Sequence, residues 1–257
     1  MAALPVIPKA WSVIPEAWEW NVRAGSGRPF LTFYDDATGE RIELSYTSMD
    51  NWVAKTANLL ADEFDREPGD VLCIDLPTHW QSVVFMLAAW TVGMRVGIGL
   101  DGSADVQVVA GRDADAESGH EGEVVACSLR PMGGPCLEPL PPGMHDFAIV
   151  VSAQPDHFAG TVDLAATTPA ARRERPNDID HAELLAQGRQ EVASLDLERG
   201  SRLLTDTNPA SDEGLGLVVG LLAMGASVVL VGHLDPSTIS TKASQERASH
   251  QLWSAHE

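Results

Sequence analysis

Apolar and polar positions alternate along Phe30 to Asp35 and again along Arg41 to Tyr46. The Ala37-Thr38-Gly39 triplet between them predicts a turn, so this stretch reads as a β-hairpin. Ahead of it, Pro15 opens a short helix carrying Trp18. After it, Met49, Trp52, Val53, Ala57, Leu60 and Phe64 recur at helical spacing, predicting a helix with one core face. Thr47 or Ser48 can N-cap that helix, and Pro68-Gly69-Asp70 stops it. Val71 to Asp75 is a compact apolar strand. Ser82 to Val92, apolar on nearly every side, reads as a covered helix ending at Gly93, and Arg95 to Ile98 is the next strand. A strand, helix, strand order implies parallel neighbours joined by a crossover.

From Asp101 to Glu123 the texture turns acidic and glycine-containing, with only a short strand at Val106 to Ala110. A strand at Glu123 to Leu129, a Gly- and Pro-rich stretch at Pro131 to Gly143 and a helix around Asp146 to Ser152 follow. Pro155 to Asn177 reads as a weakly structured connection. Then the earlier order returns: a helix capped by Asp178 or Asp180 and running to Leu195, a strand at Leu203 to Thr205, a helix from Gly214 to Met224 and a strand at Ser227 to Val231. Gly69 and Gly200 lie 131 positions apart, and Gly93 and Gly225 lie 132 apart, each glycine at a helix end before a strand. This spacing predicts either a two-copy repeat or two ordinary α/β modules in series. The expected organisation is a first α/β subdomain over 1–154, a connection over 155–177, a second subdomain over 178–236 and a polar tail over 237–257. The Ser-rich tail reads as frayed or as a lone surface helix, dispensable for folding.

Composition narrows the partners. The chain has 257 residues, 44% of them hydrophobic, enough for a large core, and a formal net charge of −20 with lysine only at Lys9, Lys55 and Lys242. Such a surface repels nucleic acid and anionic membranes. Cys73, Cys127 and Cys136 make an odd count, two of them inside strand-like runs, so no disulfide framework is expected and a cytoplasmic setting fits. Met1 to Trp11 lacks the apolar core of a signal peptide, and the longest apolar run, Gly214 to Gly232, has the texture of a buried helix and strand.

Candidate chemistry is sparse. Gly97-Ile98-Gly99-Leu100-Asp101-Gly102 spells a dinucleotide fingerprint, but a strand follows it where the pyrophosphate needs a helix N-terminus. None of the three lysines follows a glycine-rich turn, so no phosphate-binding lysine loop is present. Asp113-Ala114-Asp115-Ala116-Glu117 begins like a calcium loop, yet Ser118 and Val124 stand where glycine and glutamate belong. No His and Cys spacing fits a tetrahedral metal, and no nucleophile elbow occurs. Trp11, Trp18 and Trp20 mark either an interface or packing of the first helix. No catalytic, cofactor-binding or metal residue is assigned, and no cofactor is expected.

Leu44-Ser45-Tyr46-Thr47-Ser48-Met49, Ala57-Asn58-Leu59-Leu60, Pro68-Gly69-Asp70-Val71, Leu76-Pro77 and Ala88-Ala89-Trp90-Thr91-Val92-Gly93 together resemble the N-terminal region of adenylate-forming, AMP-binding ligases, a family that includes acyl-CoA synthetases. The resemblance covers most of residues 15 to 100 and resumes at His181-Ala182-Glu183-Leu184-Leu185 and at Leu217 to Val231. It implies a layered α/β/α fold with mostly parallel sheets and two pseudo-repeated subdomains. It also implies a Ser-, Thr- and Gly-rich phosphate loop ending in Pro-Lys-Gly before the second of these helices. Here that neighbourhood reads Ala165-Ala166-Thr167-Thr168-Pro169-Ala170-Ala171-Arg172-Arg173, with Arg172, Arg173 and Arg175 as the local cations. The family's later adenine- and magnesium-binding segments and its catalytic lysine are expected beyond Glu257, where the sequence stops.

The reading that follows is a catalytically silent relative that keeps the scaffold to bind a protein partner or small molecule. Two alternatives stay open: a carboxylate-activating ligase acting alone or completed by another chain, and an unrelated α/β ligand-binding protein. A homo-oligomer is compatible with all three.

Overall fold

The computed structural model describes residues 11–25, 27–99, 101–113, 120–172 and 178–254. By contacts the described chain falls into two units. One comes from Met1–Asp50, Thr78–Trp80 and His181–Glu257, the other from Asn51–Pro77 and Gln81–Asp180.

Helix α1 (Ile14–Gly25) begins where the Glu16 carboxylate accepts the Ser12 N–H at 2.8 Å, and it buries Ala17 and Trp18. Strands β1 (Pro29–Asp35) and β2 (Glu40–Ser45) pair antiparallel as the expected hairpin. Helix α2 (Tyr46–Asn58) starts earlier than the sequence reading places it. Ser45 Oγ, not Thr47 or Ser48, accepts the Ser48 N–H at 3.1 Å, and the helix closes in a π-helical turn, Leu59–Glu63. The chain continues through β3 (Val71–Asp75), α3 (Trp80–Val92), β4 (Arg95–Ile98), β5 (Val106–Ala110), β6 (Glu123–Cys127) and β7 (Met144–Asp146). Helix α4 (Phe147–Ser152) is capped by Asp146, and β8 (Pro169–Ala171) and β9 (Ile179–Asp180) lead into α5 (His181–Ser194). Last come β10 (Arg202–Thr205), α6 (Asp212–Met224, capped by Ser211), β11 (Ser227–Gly232), α7 (Ile239–Gln245) and β12 (His250–Leu252).

In the second unit, seven strands form one sheet in the order β7-β6-β5-β3-β4-β8-β9, parallel except for β8 with β9. β3 and β4 are parallel neighbours as expected, and the crossover helix α3 is almost wholly buried. The stretch read as a loose connection contributes β8, held because the Trp90 indole N–H donates to the Ala170 carbonyl at 2.9 Å. Three residues are too few for an apolar period to register in sequence.

The first unit carries a five-stranded sheet, β12-β10-β11-β1-β2. The hairpin from the start of the chain joins it because β1 pairs parallel with β11, Leu31 against Val228 through Asp35 against Gly232. Elements from both ends of the sequence thus share one sheet, whereas contiguous subdomains over 1–154 and 178–236 were expected. Leu204, Val229 and Val231 form one face, covered by Ile239 and Ala243 of α7 and by Trp253. The β10 to β11 and β11 to β12 crossovers run in opposite directions, so right-handed connections put α6 on the other face. The fold is α/β with mostly parallel sheets.

Residues 237–254 of the expected tail are neither frayed nor a lone helix. β12 pairs with β10, and α7 is anchored by charges. Lys242, 5% exposed, donates to Asp36 Oδ1 at 2.6 Å. Glu246, 9% exposed, accepts from the Tyr34 hydroxyl at 2.6 Å and pairs with Arg202 at 2.7 Å and Arg41 at 2.9 Å. The polar composition that suggested solvent instead supplies a buried ionic lattice whose partners lie up to about 200 positions away.

The repeat has like topology in both copies. Val71–Ile74 face Arg95–Ile98, and Arg202–Thr205 face Ser227–Leu230, at the same offsets as the glycines. The outer strand is matched too: β5 lies beside β3 as β12 lies beside β10.

Candidate functional site

In open parallel sheets, ligands bind outside the carboxyl ends of strands, where successive connections leave for opposite faces. Each sheet has such a point, between β3 and β5 and between β10 and β12.

At the first, β4 runs out through Gly99 into Asp101 and Ser103, and β5 follows with no helix between. The fingerprint glycines therefore form a strand exit, and Leu100 lies outside the described residues. Gln107 closes the loop, accepting the Asp101 N–H and donating to the Gly99 carbonyl, each at 3.2 Å. Arg172, just past β8, is held by Asp101 at 3.3 Å and donates to Ser103 Oγ at 2.9 Å. Its charge is neutralised locally.

The segment that the resemblance places at the phosphate loop is a tight turn into β8. The Ala165 N–H donates to Thr168 Oγ1 at 3.0 Å and the Thr168 N–H to the Ala165 carbonyl at 2.9 Å, so both amides are spent inside the turn. A phosphate cradle needs such amides turned outward together with a cation. These residues do not fit a triphosphate. Arg173 and Arg175 lie outside the described residues, as do Lys9 and positions 114–119 of the calcium-like stretch. Asp113, its first residue, faces Arg112 at 3.3 Å. Lys55 donates to the Gln154 carbonyl at 2.8 Å, a structural role. Cys73, Cys127 and Cys136 are free thiols, and burial raises the pKa of each, that of Cys73 to about 12. Thiolate chemistry is disfavoured.

The edge of the five-stranded sheet is more open. Parallel pairing sets Asp35 beside Gly232, and the residue just after β11, His233, turns back so that its Nδ1 lies 2.9 Å from Asp35 Oδ1. Asp35 also accepts the Ala37 N–H at 2.9 Å. Burial by itself would raise the Asp35 pKa, but these hydrogen bonds, with one from Thr38, outweigh it and hold the carboxyl below its usual range. The pair fixes the imidazole with Nδ1 toward the carboxylate and Nε2 outward, and the His233 side chain is 56% exposed. His233 has φ +48, a left-handed backbone that costs a non-glycine residue of order 1–3 kcal/mol and clusters at functional sites.

Around it, Thr78 Oγ1 donates to the Asp206 carbonyl at 3.1 Å, and the Ser254 N–H donates to Asp206 Oδ1 at 2.7 Å. His79 packs edge-on against Phe33, and burial drives its pKa down to about 3 against the opposing pull of Asp35, so it is neutral at any working pH. The edge thus combines one exposed, oriented imidazole with hydroxyl and carboxylate groups on two loops. Sequence reasoning missed it, because Asp35 and His233 are 198 positions apart and neither belongs to a motif.

Trp18 packs on Phe30 and Tyr46 at centroid distances of 5.3 and 5.7 Å, the packing role open to it from sequence. No described helix is long and apolar enough to cross a membrane.

No family profile matches the sequence. The chain is 34% identical over 243 residues to a TIGR03089 family protein of Mycobacterium tuberculosis, covering 90% of this chain and 94% of that one. Among solved structures it resembles an acyl-CoA synthetase of Brucella canis, with a TM-score of 0.77 at 19% identity, over 95% of this chain and 47% of the synthetase. It also resembles a Mycobacterium tuberculosis fatty acyl CoA synthetase, with a TM-score of 0.70 at 15% identity over 92% and 48%. The fatty acyl-adenylate ligase of L. pneumophila, solved with acyl adenylate and pyrophosphate, gives 0.71 at 11% over 95% and 45%. The chain spans about half the length of these structures, and at such identities the likeness is one of fold: the N-terminal portion of adenylate-forming ligases.

Proposed function

Because the chain belongs to the TIGR03089 family, on a fold shared with the N-terminal portion of acyl-CoA synthetases, we propose that it is a binding scaffold in which adenylation chemistry has been given up. The observation that supports this reading is the Ala165–Thr168 turn, in the segment that the resemblance sets at the phosphate loop: its amides bond within the turn, and Arg172 is neutralised by Asp101. Phosphoryl and adenylyl transfer depend on charge stabilisation at the phosphates, and among the described residues this turn supplies none. Binding is instead assigned to the carboxyl edge of the five-stranded sheet, where His233 offers Nε2 and the 206–211 loop faces it. The occupant is a small molecule or a segment of a partner protein. The net charge of −20 argues against nucleic acid and anionic membranes, and unpaired thiols suit a cytoplasmic protein.

A second reading, a carboxylate-activating ligase acting alone or completed by another chain, rests on the fold shared with the solved ligases. One experiment addresses both. The purified chain is tested for exchange between ATP and pyrophosphate with short and long carboxylic acids, and for a melting shift with ATP and magnesium. A ligand at 100 times its Kd would add about 2.7 kcal/mol, an easily read shift. We expect neither exchange nor shift. Exchange above a no-protein control, abolished in Arg172→Ala, would overturn the scaffold reading, and an ATP shift without exchange would favour the completed ligase.

A further inference from the structure

Among the described residues, the large hydrophobic side chains that stand exposed are Met132 at 68%, Leu137 at 76% and Ile149 at 61%. All three fall in one stretch, the loop before β7 and the helix α4 after it, at the edge of the seven-stranded sheet. Hydrogen bonds gather this stretch into one face. The Asp146 carboxylate accepts the Cys136 N–H at 2.7 Å and the Ala148 N–H at 3.0 Å, so Leu137 and Ile149, each the next residue, are held close together. The turn that carries Met132 is folded onto the same loop, since Arg130 Nη1 donates to the Pro135 carbonyl at 3.1 Å. Met132 itself holds φ +61, a left-handed backbone that a residue with a Cβ rarely adopts, although Gly133 and Gly134 stand next to it. Backbone strain and an exposed apolar side chain on one residue are costs that folding does not repay, and both cluster at binding surfaces.

Charge decides what covers this face. The chain carries 37 acidic against 17 basic side chains, so two copies repel across most of their surface. From Ser128 to Ser152, however, the charged side chains are Arg130, Glu138 and Asp146, and Asp146 is engaged by the two backbone amides. The exposed charges are thus one of each sign, Arg130 and Glu138. A basic partner gains little here, whereas a second acidic copy can approach without stacking like charges. A two-fold axis exchanges the ends of the face, so the cation of one copy can meet the anion of the other. β7 is also the last strand of its sheet, so the same face includes the outer backbone groups of an edge. We propose that this face, built on Met132, Leu137 and Ile149, is the interface of a two-fold dimer of this chain. It is separate from the edge at His233 and stands whether or not the scaffold reading holds.

The test is sedimentation velocity of the whole chain from about 1 to 200 μM, where a small interface should give a monomer–dimer equilibrium with a Kd of roughly 10–100 μM. Leu137→Glu and Ile149→Glu should each weaken it about tenfold or more. Gln190→Glu, which adds the same charge at an exposed position of α5, should leave it within about twofold. Both patch side chains are exposed, so the variants should melt like the parent, and whichever one does carries the comparison. Raising sodium chloride from about 0.05 to 0.5 M should tighten the dimer, because salt screens the repulsion between the acidic copies and leaves an apolar contact intact. The parent alone supplies a second readout: amides between 130 and 152 should exchange more slowly at high protein concentration than at low. A monomer throughout, a dimer as tight in Leu137→Glu and Ile149→Glu as in the parent, or concentration-dependent protection confined to other segments overturns the proposal.

Discussion

The two copies of the α/β repeat differ less in their strands than in how they return to the outer strand. Between β4 and β5 the first copy uses seven residues, 99–105; between β11 and β12 the second uses seventeen, 233–249, which include α7. The junction itself is built alike. Asp105 exchanges two hydrogen bonds with Val71, accepting its N–H at 2.8 Å and donating to its carbonyl at 2.9 Å, and Ser249 does the same for Arg202 at 3.0 and 2.9 Å. A short connection draws Asp101, Gln107 and Arg172 into mutual satisfaction. The longer one moves its charges onto the sheet face and leaves His233 exposed at the edge. Strand pairing sets the frame, and the connection decides whether the edge is closed or available.

The helices teach a parallel lesson. Gly188 of α5 and Gly220 of α6 approach so closely that a Cβ on either would collide with the other's backbone. The positions 131 and 132 earlier are Ala57 and Ala88, both fully buried. Two copies of one arrangement are packed at different depths.

The harshest way to break the comparison is to delete 237–257. That removes β12 and α7, and leaves Asp36 and Arg202 without their buried partners. Losing one partner of a buried pair costs about 3–5 kcal/mol. With roughly 2–4 °C per kcal/mol at this size, the melting temperature should fall by on the order of 15 °C, or the protein should not accumulate in soluble form. A drop of only a degree or two by calorimetry would mean that the second copy stands without its outer strand.

Glu246→Gln probes the same region more gently, with an expected loss of about 3 kcal/mol in urea unfolding at pH 7. Burial alone would raise the Glu246 pKa, but hydrogen bonds from Tyr34, Arg202 and Arg41 outweigh it and hold the carboxyl down. A folded-state pKa below the unfolded value, about 4.3, means that the contribution is complete above that pH and lost as pH falls through the folded value. The gap between parent and variant should therefore be constant from pH 8 to 5 and shrink below about pH 4. In the first copy, Asp101→Asn touches a pair whose side chains are 21% and 32% exposed and should cost about 1 kcal/mol or less. Equal losses in the two copies would erase the proposed contrast.

Much of the fold was legible. The hairpin, β3, α3, β4, and the α5 to β11 series follow from periodicity, turn residues and glycine stops, because each is decided by neighbours in sequence. What escaped was decided by distant partners. Lys242 and Glu246 look like surface residues until Asp36, Tyr34, Arg41 and Arg202 are placed around them. The candidate edge was illegible for the same reason: a lone histidine becomes distinctive only when its partner and its positive φ are known. The changed phosphate-loop position was visible, since Thr167-Thr168-Pro169 lacks glycine and lysine whatever its conformation.

The smallest expected effects bear most directly on whether the repeat is real. Gly69 and Gly200 hold φ +96 and +78 at matched helix stops, and a few residues before them Asp65 and Asp196, again 131 apart, hold φ +54 and +53. Four left-handed residues in two matched pairs are hard to reconcile with chance. A left-handed backbone costs a residue bearing a Cβ about 1–2 kcal/mol, so Gly69→Ala and Gly200→Ala should each destabilise by about that much. Gly69→Ala should cost somewhat more, since +96 lies further outside the left-handed range near +50 to +70 that such residues tolerate. Nothing lies within 4 Å of a Cβ built on Gly69, so its loss would be backbone strain alone. Asp65→Gly and Asp196→Gly run the other way: relief of strain is offset by about 0.5–1 kcal/mol of added unfolded-state entropy, so both should fall within about 0.5 kcal/mol of the parent. Matching signs and sizes across the pairs in urea unfolding would confirm one stop motif used twice. A substantial cost in one copy with none in the other would reduce the 131-residue offset to coincidence.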